Sequence, residues 1–212
     1  MIQNGRYRLS LLQQRIVLYA IGHIKADDSY DSIYEFKLKD LYKVSGMAED
    51  SYTRFKEVIQ KLDNINWWIT INGKEVLARW FSYIEIDPQK NAAMFQFHRG
   101  VAPYLFDLVR QNKYYTRYEL ENILPMTHQA SPRLYELLKS YSKNNDEWYF
   151  DLDKFKKAMD CESYKLWGDI KRRILDPSIE EINSKTDLRV RYELERTGKK
   201  VIGIKFKFCK GD

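Results

Sequence analysis

The chain has 212 residues, 44% of them hydrophobic, enough apolar mass for one large core or two small ones and too much for a disordered tail. Thirty-six Lys and Arg against 30 Asp and Glu leave a net charge of +6, which favours a polyanionic partner without fixing the fold. Cys161 and Cys209 lack CxxC spacing, no apolar run reaches the ~18 residues of a membrane span, and no basic-then-apolar leader opens the chain. A disulfide framework, a zinc site, a membrane span and a signal peptide are therefore not expected, and a cytoplasmic location is.

In chain order, Leu9, Leu12, Ile16, Tyr19 and His23 follow helical spacing, with Ser10 placed to cap the helix. Residues 33–38 are β-prone, 39–44 read as a short helix ended at Ser45-Gly46, and 50–64 as a helix whose apolar stripe is Tyr52, Phe55, Ile59 and Leu62. A strand over 67–71 meets a type I′ turn signal at Asn72-Gly73, and 75–87 is β-rich. After a turn at 88–91 come a strand over 93–98, a helix over 101–109, and a short strand and connector over 114–124.

The order then starts again. Ser131-Pro132 opens a helix through Tyr141, 148–151 is a short strand, 152–159 a short helix and 164–174 a longer one. Pro177 either kinks that helix or starts another, because it cannot donate to the carbonyl four residues back. Strands over 188–195 and 201–208 flank the tip Arg196-Thr197-Gly198-Lys199-Lys200. Phe36-Lys37-Leu38-Lys39-Asp40-Leu41-Tyr42 aligns with Phe150-Asp151-Leu152-Asp153-Lys154-Phe155-Lys156, and each copy leads to a helix and then to a Gly-Lys turn, Gly73-Lys74 or Gly198-Lys199. The expected fold is α+β: two tandem winged-helix domains related by internal duplication, over 1–124 and 125–212.

Catalysis has little support. His23, His98 and His128 are scattered, and the chain has no HxH, HExxH, GxSxG, GxGxxG or GxxxxGK[ST] motif. No enzyme activity, metal or cofactor is expected. The helix over 164–174 is more informative. Trp167, Ile170 and Ile174 share one face, while Lys165, Gly168, Asp169 and Arg172 fall opposite, flanked by Lys171 and Arg173. A helix seated in a major groove needs that division, although a solvated face looks similar. Arg196, Lys199 and Lys200 at the hairpin tip suit phosphate contact, although turn tips are often charged for solubility. The matching elements of the first half carry Thr53, Arg54 and Lys61 on the helix and Lys74 at the turn, and are expected to touch more backbone than base. The five tryptophans are assigned to cores.

Arg133-Leu134-Tyr135-Glu136-Leu137-Leu138, Lys171-Arg172-Arg173-Ile174-Leu175-Asp176-Pro177, Glu181-Ile182-Asn183 and Thr186-Asp187-Leu188 resemble signature blocks of the plasmid replication initiators that bind iterons, the initiator Rep proteins of RepB, RepE and pi type. Residues 9–19 are similar to the family's first helix, and 114–118 to its interdomain segment. Many members carry residues before that helix, whereas this chain begins almost at it. The resemblance implies two winged-helix domains, sequence-specific binding to repeated origin sites in double-stranded DNA, melting of adjacent A·T-rich DNA, and recruitment of the host replication initiator and replicative helicase. It also implies a homodimer that represses the initiator's own gene. In the family the second recognition helix makes the main base contacts, a role that falls here on Lys165, Asp169, Lys171 and Arg172. The rival readings are a winged-helix transcriptional repressor without initiator role, a nicking relaxase or nuclease, and a protein-docking scaffold.

Overall fold

A computed structural model describes residues 9–48, 51–71, 73–111 and 120–209, which fall into two compact units, 9–111 and 120–209. In the first unit α1 (Leu11–Ile21) opens with a capping box. The Ser10 hydroxyl accepts from the Gln13 N–H at 3.4 Å, and Gln13 Oε1 accepts from the Ser10 N–H at 2.8 Å. β1 (Ile33–Lys37) runs into α2 (Leu38–Ser45), which ends at Gly46 with φ +74°. There the Met47 N–H returns to the Tyr42 carbonyl at 2.8 Å, closing a Schellman motif. Buried Arg15 lays its guanidinium over this cap and donates to the Ser45 carbonyl at 3.2 Å. A Cβ at Gly46 would sit 2.6 Å from that guanidinium, so glycine satisfies both the turn and the packing. α3 (Tyr52–Asp63) buries Phe55, Ile59 and Leu62, as its stripe predicts, with Tyr52 half-buried.

β2 (Trp67–Ile71), β3 (Lys74–Ala78), β4 (Phe81–Asp87), β5 (Ala92–Phe97) and α4 (Ala102–Gln111) follow. β2 and β3 form a two-stranded hairpin, whereas β1 pairs with β5 and β5 with β4. This corrects the repeat read from the Gly-Lys turns. The hairpin that completes the first sheet is β4–β5, turning at 88–91, and β2–β3 is an additional hairpin between α3 and that sheet. Its exposed face also corrects a core assignment. Trp67 is buried against Trp80, with ring centroids 5.0 Å apart, but Trp68 is 65% exposed opposite exposed Leu77.

In the second unit α5 (Leu120–Ile123) is a single helical turn where the sequence suggests strand and connector; 112–119 lie outside the described residues. α6 (Ser131–Ser142) begins at Ser131-Pro132 as expected and buries Leu134, Tyr135, Leu137 and Leu138. β6 (Glu147–Asp151) and α7 (Leu152–Ala158) repeat β1 and α2. Phe36 and Phe150 are the buried residue of their strands, and Leu41 and Phe155 are each fully buried one turn into the helix. Phe36 pairs with Ala93 on β5 and Phe150 with Ile204 on β8, so the two copies agree in register as well as in order.

The third helical segment is continuous. α8 (Trp167–Ile170), a π-helical turn (Lys171–Leu175) and α9 (Asp176–Lys185) succeed one another without a break. The expected start at Tyr164 is three residues early, so Lys165 precedes the helix. The wide turn, in which the Asp176 N–H reaches back five residues to the Lys171 carbonyl, makes room for the Pro177 ring. The helix therefore passes through Pro177. From Trp167 to Leu175 the fully buried residues are Ile170 and Leu175, five apart, and Ile174 is only half-buried. β7 (Arg189–Thr197) and β8 (Lys200–Cys209) complete an antiparallel sheet in the order β6-β8-β7.

Candidate nucleic-acid interface

Two ties fix the hairpin against the long helix. Asn183 exchanges bonds with Val190: its Nδ2 donates to the carbonyl at 2.8 Å, and its Oδ1 accepts from the N–H at 2.7 Å. Nearer the helix start, the Tyr192 hydroxyl donates to Asp176 Oδ1 at 2.6 Å. As the numbers fall along the helix they rise along β7, so helix and strand run antiparallel. From Tyr192 the strand advances five more residues to Thr197, about 17 Å at the usual rise. From Asp176 back to Asp169 the helix covers about 10 Å. The β7–β8 tip and the helix start therefore lie at the same end of the unit.

That end is basic. Arg172 and Arg173 have side chains 73% and 59% exposed, and both meet Asp169 Oδ1, through Arg172 Nη2 at 3.1 Å and Arg173 Nε at 3.6 Å. Arg196, Lys199 and Lys200 are exposed at the tip, where Gly198 takes φ +59° and Arg196 Nη1 donates to the Lys199 carbonyl at 3.4 Å. Lys165 is exposed just before the helix. Lys171 behaves differently: its Nζ donates to Asp176 Oδ2 at 2.5 Å, below the arginines. Hydrogen bonds to Asp176 and Tyr192 raise the Lys171 pKa, against the opposing effect of desolvation. Burial raises the Asp176 carboxyl, but the bonds from Lys171 and Tyr192 outweigh it and hold the group below the usual carboxylate range. Lys171 thus links helix to strand.

In the first unit Thr53, Arg54 and Lys61 are exposed on α3, with Arg54 and Lys61 two turns apart on one face. Lys74 is exposed at the β2–β3 turn beside Gly73, φ +75°; Asn72 lies outside the described residues. Lys74 therefore belongs to the additional hairpin rather than to the hairpin equivalent to β7–β8.

The sequence reading missed Leu166, which is 68% exposed at the cap position of α8 and lines one open concavity with Trp167, Gly168, Asp169 and Arg172. An apolar residue next to a helical stripe is assigned inward by default; only the true helix start, at Trp167, shows it outside. Among the described residues no group of three or more His, Cys, Asp or Glu could hold a metal ion, and no helix is long and apolar enough to cross a membrane.

Two family profiles match the chain: "Initiator Replication protein, WH1" over residues 1–139 and "Initiator Rep protein, WH2" over 151–208. The PI protein of Escherichia coli is 26% identical over 207 residues, covering 90% of this chain and 66% of that protein. The chain thus spans about two thirds of that relative's length. An uncharacterized 27.6 kDa protein of Escherichia coli is 23% identical over 222 residues, covering 96% of this chain and 90% of that one. In fold, the chain matches the Pi initiator protein crystallised with iteron DNA at TM-score 0.78 and 20% identity, covering 95% of this chain and 91% of that one. Domains 2 and 3 of RctB match at TM-score 0.56 and 12% identity, covering 95% and 83%.

Proposed function

The chain belongs to the initiator replication protein family, and from that premise we propose that it binds repeated sites in double-stranded plasmid-origin DNA and starts replication there. The observation that carries the reading is the convergence of the exposed Arg172 and Arg173 with the Arg196–Lys200 tip at one end of the second unit. A helix start that enters a major groove beside a basic hairpin combines base-edge readout with phosphate neutralisation. The PI relative, and the structure of the Pi initiator with iteron DNA, support the same reading. The site comprises Lys165, Asp169, Arg172 and Arg173 at the helix start and Arg196, Lys199 and Lys200 at the tip. Thr53, Arg54, Lys61 and Lys74 hold the backbone from the first unit, and Lys171 positions the helix. The domain division at 124/125, a cytoplasmic location, the absence of catalysis, the host initiator and helicase as partners, and a repressing homodimer belong to the same proposal. Its test is binding of the full chain to the direct repeats beside its gene. Salt-sensitive preference for the repeats over scrambled duplex supports it; equal affinity for both overturns it.

Two variants probe the division of labour. Lys199→Ala is expected to weaken binding to every duplex alike and to lower the slope of log affinity against log salt by about 0.9, the share of one phosphate contact. A titration from low to high salt reads this directly, and an unchanged slope removes the tip from the interface. Asp169→Asn is expected to act in the opposite direction. The carboxylate occupies both arginines and repels phosphate, so its loss should tighten binding to scrambled duplex by about 0.5–1 kcal/mol and narrow the specificity ratio. Anisotropy with specific and scrambled duplexes measures both, and an unchanged ratio counts against the assignment.

A further inference from the structure

We infer that Leu166 reads sequence by taking the 5-methyl group of a thymine in the major groove. The inference rests on α8 being the element that enters the duplex. Leu166 occupies the cap position of α8 in extended conformation, φ −98° and ψ 133°, where a polar side chain usually accepts from the first helical N–H groups. Its side chain makes no such bond and stands 68% exposed. Leucine at this position gives up a cap and leaves apolar surface in water, and neither feature serves the fold of the free protein.

The surroundings match a groove floor. Leu166 shares its concavity with Gly168, Asp169 and Arg172, and a Cβ added at Gly168 would meet no atom within 4 Å. A duplex approaching that wall meets a guanidinium donor, a carboxylate acceptor and an apolar pair, exposed Leu166 beside half-buried Trp167. Guanine presents acceptors to the first, cytosine an amino donor to the second, and thymine a methyl group to the third. Lys165, Arg172 and Arg173 are all exposed around this helix start, a concentration of positive charge that suits a polyanion.

The test uses the full chain and a randomised duplex library. The selected site is resynthesised with each thymine in turn replaced by deoxyuridine, which removes the methyl and keeps the pairing. At one position the parent should lose about fourfold in affinity, the fold-change that corresponds to ~0.8 kcal/mol for one buried methyl-sized group. Leu166→Ala should bind the thymine and uracil forms of that position equally, and at 68% exposure its folding should not change. If a site is selected but no thymine methyl matters, or if Leu166→Ala keeps the same loss, the inference is wrong and the proposed function stands. If no duplex is enriched at all, both fall.

Discussion

Arg172→Ala is expected to cost about 1–3 kcal/mol of specific DNA binding and to relax preference at one base pair, while leaving the fold intact. The side chain is 73% exposed and meets Asp169 at 3.1 Å on the surface of the helix, where an ion pair contributes at most about 1 kcal/mol to stability. Its value lies in the planar donor fork, which matches the two acceptors on the major-groove edge of guanine. Arg172→Lys keeps the charge and loses the fork, so it should retain salt-dependent, non-specific binding and lose discrimination. Competition between the selected site and single-base variants of it, at fixed salt, measures the effect. If the alanine variant discriminated among those sites as well as the parent, the base-reading role would pass to another residue.

The local chemistry of this chain was legible wherever a short stretch decides its own shape. Ser10 announces a helix cap, Ser45-Gly46 a helix end and Ser131-Pro132 a helix start, and each forms as written. The duplication also survives, because Phe36 and Phe150 occupy equivalent buried positions with equivalent strand partners. What failed was non-local. The turns at Gly73 and Gly198 look alike because both need positive φ, but a turn does not say which strand its hairpin will join. β1 instead finds β5, and the β2–β3 hairpin stands apart with Trp68 exposed.

At the candidate site the face of the helix was readable and its phase was not. A regular 3.6-residue period carries Trp167, Ile170 and Ile174 inward. The π-helical turn spends an extra residue, so that Leu175 fills the core and Ile174 moves to its margin. Pro177 was the visible cue, but a proline permits a stop, a kink or a widened turn, and tertiary packing chooses among them. The same late start at Trp167 turns Leu166 outward. Both differences fall beside Arg172 and Arg173, the arginines proposed to meet DNA, and π turns are frequent at functional sites.

The position of that helix depends on a buried carboxylate at its far end. Glu181 on α9 accepts from the Thr127 N–H at 2.7 Å, the Thr127 hydroxyl at 2.8 Å, the His128 N–H at 3.0 Å and Lys185 Nζ at 2.6 Å. It thereby pins the segment before α6 to the helix that carries Arg172. Burial raises the Glu181 carboxyl, yet the bonds from Lys185 and Thr127 prevail and bring it from the ordinary 4.5 down to about 2. Because the folded state binds this proton more weakly than the unfolded state, the stabilisation is full above about pH 4.5 and is lost as pH falls toward 2. A shift of that size corresponds to about 3 kcal/mol. Glu181→Gln should destabilise the second unit at neutral pH by about 1–3 kcal/mol, since an amide turns its NH2 toward donors that need an acceptor and leaves them unsatisfied. Exchange of the Thr127 and His128 amides should speed up accordingly. The variant should also lose less stability than the parent between pH 4.5 and 2, with a residual dependence from Asp176 and Asp187, which are held low as well. Equal acid sensitivity of variant and parent would show that Glu181 does not anchor the helix.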